Sequence, residues 1–171
     1  GFVQLRWVNQ PAPGWGQLLR AWAGEAVASE LAFSWRQPWR EWAIPDHLPA
    51  GATQGVLLVH GFLCNRGLWN PWMRRLRAQG VAHVALSLEP VFGDIDAYVP
   101  LIEAAVRRLE QTTGVPPVLV AHSMGGLAIR AWLRAHPADE RVRCIITLGT
   151  PHQGTALAAW AVSENGRQMQ P

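Results

Sequence analysis

Val118-Leu-Val-Ala-His-Ser-Met-Gly-Gly126 runs an apolar stretch straight into a serine flanked by small residues, Ala121 before it and Gly125 after it. A continuous apolar run of this length fits a strand buried on both faces of a parallel sheet. The helical pattern that follows, from about 125 to 135, stops ahead of Pro137. A strand that turns sharply into a helix holds its corner residue in a strained backbone and brings the neighbouring backbone close. Residues two positions either side of the corner must then be small. This makes Ser123 a candidate nucleophile, with the helix N-terminus aimed at its reacting oxygen. A serine that simply caps an ordinary helix is the alternative.

Outward from this stretch the chain alternates in the same way. Gly55-Val-Leu-Leu-Val59, Val81–Leu88 and Val142–Leu148 read as further strands, with helical patterns over 68–79 and 94–111 between them. In the latter, Tyr98, Ile102, Ala105, Val106 and Leu109 form one apolar stripe. Strand and helix in alternation predict an α/β fold, a mostly parallel sheet with helices on both faces. The first strand ends in His60-Gly-Phe-Leu63, where Gly61 permits close backbone approach or is a plain turn glycine. An acyl-transfer oxyanion needs two backbone donors, and the N–H groups of Phe62 and Met124 fit those places. His60 and His122 sit beside the site and are expected to hydrogen-bond locally.

Residues 1–50 hold six of the ten Trp and form an N-terminal appendage with an amphipathic helix expected over 16–33. These Trp residues suit packing against the domain that begins near residue 51, or a membrane-interface or substrate-facing surface. The composition is that of a folded chain of one core domain: 171 residues, 49% hydrophobic and 16% charged. All fifteen basic residues are Arg, interspersed with twelve acids, so the formal charge of +3 reflects no basic cluster and nucleic acid is not an expected partner. Cys64 and Cys144 have neither disulfide-scaffold nor metal-ligand spacing. No metal or organic cofactor is implied. No apolar run reaches the ~18 residues that span a bilayer.

The segments Ala121-His-Ser-Met-Gly-Gly126, His60-Gly-Phe62 and Gly149-Thr-Pro-His-Gln-Gly-Thr155 together resemble the bacterial lipase and esterase branch of the α/β-hydrolase superfamily, over roughly residues 50–160. The resemblance implies a serine hydrolase that cleaves carboxylic esters through an acyl-enzyme on Ser123, with the Phe62 and Met124 amides as oxyanion hole. It implies an apolar ester or lipid as substrate and contact with a lipid interface. It makes His152 and Leu63 candidate substrate-lining residues. Acyl transfer or thioester cleavage on the same serine, and a non-catalytic binding module, remain open. A carboxylate-nucleophile dehalogenase is excluded because Ser occupies position 123.

The family's triad runs Ser, acid, His in chain order, yet after Ser123 the histidines are His136 and His152 alone. His136 ends the helix that starts at the serine, about 20 Å away, too far to act as base. His152 has Glu164 as its one later acid partner. The expectation is a C-terminally incomplete hydrolase domain over 51–171, lacking the strands that carry acid and histidine and nearly inactive alone. The missing strands would leave an exposed, aggregation-prone sheet edge.

Overall fold

The computed structural model describes residues 13–136, 139–156, 158 and 161–170. Its centre is a four-stranded, all-parallel sheet in the order β2-β1-β3-β4, with β1 Gly55–Val59, β2 Ala82–Ala85, β3 Val118–His122 and β4 Cys144–Leu148. The register sets Val59 opposite Ala121 and Ala121 opposite Thr147, so the C-terminal ends of the three strands lie level beside Ser123. Parallel neighbours need crossovers, and α3 Asn70–Ala78, α4 Val99–Thr113 and α5 Gly125–Ala135 supply them.

Alternation along the strands splits the core in two. Leu57, Val59, Leu119 and Ala121 point to one face, where Ile102, Val106, Leu109, Ala128 and Trp132 of α4 and α5 cover them. Leu58 and Val120 point to the other face, against Trp69 and Met73 at the start of α3. Successive side chains of a strand face opposite ways, so apolar residues without a break require helices on both sides. That is the expected α/β architecture. β1 spans its expected 55–59, whereas β2 covers 82–85 of the 81–88 stretch and β4 covers 144–148 of the 142–148 stretch; past β2 the Leu88 N–H bonds His60.

Charge is placed to hold these layers. Burial pushes the Glu103 carboxyl up, yet hydrogen bonds from Arg107, Trp132 Nε1 and Arg141 outweigh it and bring the group down to about 2. The ion pair with Arg107 joins consecutive turns of α4, whereas Arg141, which also pairs with Glu110, ties the loop before β4 to that helix.

The N-terminal part behaves in two ways. α1, Trp15–Glu30, is helical where expected and continues as a π-helical stretch over Leu31–Arg36 and α2, Gln37–Arg40. α1 buries no residue. The expected packing of its Trp residues on the following domain is not seen: Trp15 is 84% exposed and Trp22 is 65% exposed, and Trp35, Trp39 and Trp42 are exposed as well. Trp7 lies outside the described residues. Ile44 and Leu48 pack against the core instead, and the rest of the docking is polar. Gln37 accepts two hydrogen bonds from Asn65, at its side-chain Oε1 and its carbonyl, and Asn70 Nδ2 donates to the Arg40 carbonyl. Asp46 accepts from buried Arg66 at 2.8 Å, from Arg108 at 3.0 Å and from the Ala85 N–H, while Arg66 stacks 4.8 Å above the Trp42 ring.

Candidate active site

Ser123 occupies the turn between β3 and α5 with a φ of 51°, in the left-handed region that L-residues rarely adopt. The strain is held by what surrounds it. Its N–H donates to the Leu148 carbonyl at the end of β4, and its carbonyl accepts from Thr150 Oγ1 at 2.9 Å. A Cβ at position 125 would stand 2.5 Å from the His60 carbonyl oxygen, and one at position 126 would stand 2.2 Å from Thr150 Oγ1. Gly125 is therefore fixed by the approach of the β1 backbone and Gly126 by the Thr150 side chain. Gly61 is fixed from the other side, since its Cβ would lie 2.8 Å from the Ser123 Cβ. The close-approach reading of Gly61 replaces that of a plain turn glycine.

The loop after β1 is held by His60. Its Nε2 accepts the Leu88 N–H at 2.8 Å and its Nδ1–H donates to the Gly61 carbonyl at 2.8 Å, which fixes a neutral ring with the proton on Nδ1. Burial lowers its pKa to about 4. This is local hydrogen bonding as expected. His122 differs: burial lowers its pKa too, but its buried Nδ1 has no partner among the described residues. Its expected local bond is not formed among the described residues, and Nδ1 lies 3.1 Å from where a Cβ on Gly61 would stand.

Phe62 and Met124 follow the two turns that meet at Ser123. Among the described residues neither of their N–H groups has a backbone or side-chain acceptor. Two free amide donors beside a strained serine match what a developing oxyanion requires. No side chain among the described residues hydrogen-bonds Ser123 Oγ, so no base is paired with it there.

Ser123 opens into a cavity of about 340 Å³ lined by Phe62, Gly149, Pro151, Ala158, Ala161 and Met169, among others. A second apolar recess of about 490 Å³, lined by Phe62, Phe92, Ala161, Val162 and Ser163, shares two of those residues. Leu63 and His152 lie outside the Ser123 cavity. Leu63 projects into solvent from a backbone with φ of 56°, and Trp69 is core. His152 Nε2 sits 3.2 Å from Thr147 Oγ1, and its ring lines a separate groove.

Much of the cavity wall comes from the later segment that carries Ala158, Ala161, Gly166 and Met169. There Ser163 caps the short helix α6, Glu164–Gln168, by accepting the Gly166 N–H. Asn165 is fully buried, donating to the Val91 carbonyl and Tyr98 Oη. The serine three residues before Gly166 was the available signal; Thr150 offered none, because its role depends on a contact 27 residues back.

This geometry is that of an α/β hydrolase. The sequence pattern of the alpha/beta hydrolase family matches residues 56–169, and the chain belongs to that family. Among solved structures it is similar to Bacillus licheniformis lipase BlEst2 in its mature form, with 26% identity and a TM-score of 0.61 over 74% of this chain and 58% of that one. Similarity to Aspergillus fumigatus lipase B (19% identity, TM-score 0.54, 64% of this chain and 28% of that one) is of fold. The same holds for phospholipase PlaB from Legionella pneumophila, at 18% identity and TM-score 0.55 over 69% and 31% of the two chains. The chain thus spans between about a third and three fifths of the length of the BlEst2 forms it matches, 32% for the propeptide form and 58% for the mature one. No curated protein sequence matches it.

Proposed function

We propose that the chain carries the nucleophile half of a serine ester hydrolase acting on apolar carboxylic esters or lipids. The observation that carries this reading is Ser123 at φ 51° beside the amides of Phe62 and Met124, which have no acceptor among the described residues. Ser123 Oγ attacks the ester carbonyl as a base takes its proton, the carbonyl oxygen gains negative charge that the two N–H groups stabilise, and the proton passes to the leaving oxygen as the alcohol departs and an acyl-enzyme forms. The apolar cavity supports a hydrophobic acyl group, consistent with lipases being among the similar structures. Thioester cleavage or acyl transfer would use the same acyl-enzyme. A non-catalytic binding role does not account for a strained serine beside two donors unpaired among the described residues.

An unassisted serine hydroxyl is a weak nucleophile, so the test supplies the base. The chain is treated with an alkyl fluorophosphonate with and without added imidazole, and intact mass is measured. One phosphonyl adduct on Ser123, faster with imidazole and absent in Ser123→Ala, is expected. Equal labelling of the two proteins, or none with imidazole present, rejects the reading.

Contact with a lipid interface is part of this proposal, supported by the exposed face of α1 that carries Trp15, Leu19 and Trp22. Blue-shifted Trp emission with phosphatidylcholine vesicles, lost in Trp15→Ser/Trp22→Ser, is the expected signature. An unchanged spectrum removes this part alone.

A further inference from the structure

Next to the Ser123 cavity, and sharing Pro151 with it, lies a groove of about 570 Å³ with a different lining. Arg130 and Arg134 of α5 stand on one side, and His152 and Gln153 of the loop after β4 on the other. Asp96 is the one carboxylate among the described residues of the groove. Arg130 and Arg134 are four apart on a helix, which puts two like charges on one face and opposes helix stability. Arg134 is neutralised by Asp96 at 2.6 Å. Arg130 is not: it donates to the His152 carbonyl at 3.0 Å, and no carboxylate among the described residues pairs with it. That contact uses one of the five N–H groups of a guanidinium, whose planar fork matches phosphate oxygens.

We propose that this groove binds an anionic phosphoryl group through Arg130, with Arg134 as second cation once Asp96 is displaced. The Arg134–Asp96 pair is exposed on both sides, so its exchange for a phosphate costs little. Because the groove and the cavity adjoin at Pro151, a substrate could place an ester carbonyl at Ser123 and its phosphoryl group at Arg130. This assignment to substrate choice rests on the ester-hydrolase reading; anion binding does not.

The test is a titration of the isotope-labelled chain followed by NMR at constant ionic strength, with inorganic phosphate in one arm and monomeric dihexanoylphosphatidylcholine in the other. Dihexanoylglycerol, which lacks the phosphoryl group, is the control. Phosphate should give saturable shifts around Arg130 and Gln153, with affinity about tenfold weaker in Arg130→Gln. Asp96→Asn should bind about threefold tighter, a gain that a misfolded variant would not give. Tighter binding of the phospholipid than of both phosphate and dihexanoylglycerol identifies a lipid headgroup as the ligand, whereas equal binding of phospholipid and phosphate identifies free phosphate. A non-saturable response, unchanged affinity in Arg130→Gln, or no gain in Asp96→Asn overturns the proposal. Retained binding in Ser123→Ala separates its outcome from that of the hydrolase reading.

Discussion

Thr150 and Ser123 are joined through one hydrogen bond, from Thr150 Oγ1 to the serine carbonyl, and the same Thr side chain fills the space left by the missing Cβ of Gly126. Bond and contact act as a unit. Gly126→Ala should destabilise the fold by about 2 kcal/mol through overpacking, and Thr150→Ala by about 1 kcal/mol through the lost bond. In the double variant the clash is partly relieved, so the combined loss should fall short of the sum. Urea denaturation of the three variants measures this; strict additivity would contradict the coupling.

Acid should weaken the loop that carries Phe62. His60 titrates at about 4 in the folded chain and near 6.5 when unfolded, so its stabilising effect is complete above pH 6.5 and is lost as pH falls to 4. The unfolded chain takes up the proton first, and the linked loss is about 3 kcal/mol. His83 and His122, both lowered by burial, act in the same direction. Stability measured between pH 7 and 4 should fall more steeply for the native sequence than for His60→Asn, and parallel curves would exclude His60 as the source.

The Asp46 cluster should matter far more than surface ion pairs. Asp46→Ala leaves the buried Arg66 guanidinium without its carboxylate and should cost about 3 kcal/mol. Glu164→Ala breaks an exposed pair with Arg167 and should change stability by less than about 0.5 kcal/mol. Thermal melts rank the two variants directly, and similar midpoints would refute the ranking.

Among the described residues β4 pairs on one side only, and Ile146 and Leu148 are 45% and 37% exposed. An unpaired strand edge with exposed apolar side chains invites association. The native chain is expected to scatter light increasingly with concentration, and Ile146→Lys to scatter less at equal concentration. Equal scattering would place the contact elsewhere.

The sheet, its crossovers and the elbow were legible because each rests on local pattern. Unbroken apolar runs such as Gly55–Val59 mark two-sided burial, and the spacing Ala121, Ser123, Gly125 marks a turn under steric constraint. The cavity wall was not legible. Asn165 is buried by bonds to residues 67 and 74 positions earlier, and a polar tail gives no periodicity to reveal that. The Trp residues of α1 misled for a related reason: an amphipathic stripe says that a face prefers to leave water, and not which surface covers it. His152 had the chain position of a lining residue, yet the loop that carries it turns the ring toward Thr147 and away from the serine cavity.

In the proposed reading, the reacting groups and the recognising groups come from different stretches of chain. Ser123, Phe62 and Met124 ride on turns leaving the central strands β1 and β3, whereas Ala158, Ala161, Gly166 and Met169 belong to a later segment anchored chiefly by Asn165 and the Thr155 N–H bond to the Met169 carbonyl. Replacing Ala161 with a bulkier residue would therefore reshape the acyl cavity without moving a strand or the elbow. Selectivity in this architecture can drift through substitutions over 158–169 while the chemistry stays anchored in the sheet, so related chains are expected to diverge in substrate far sooner than in reaction.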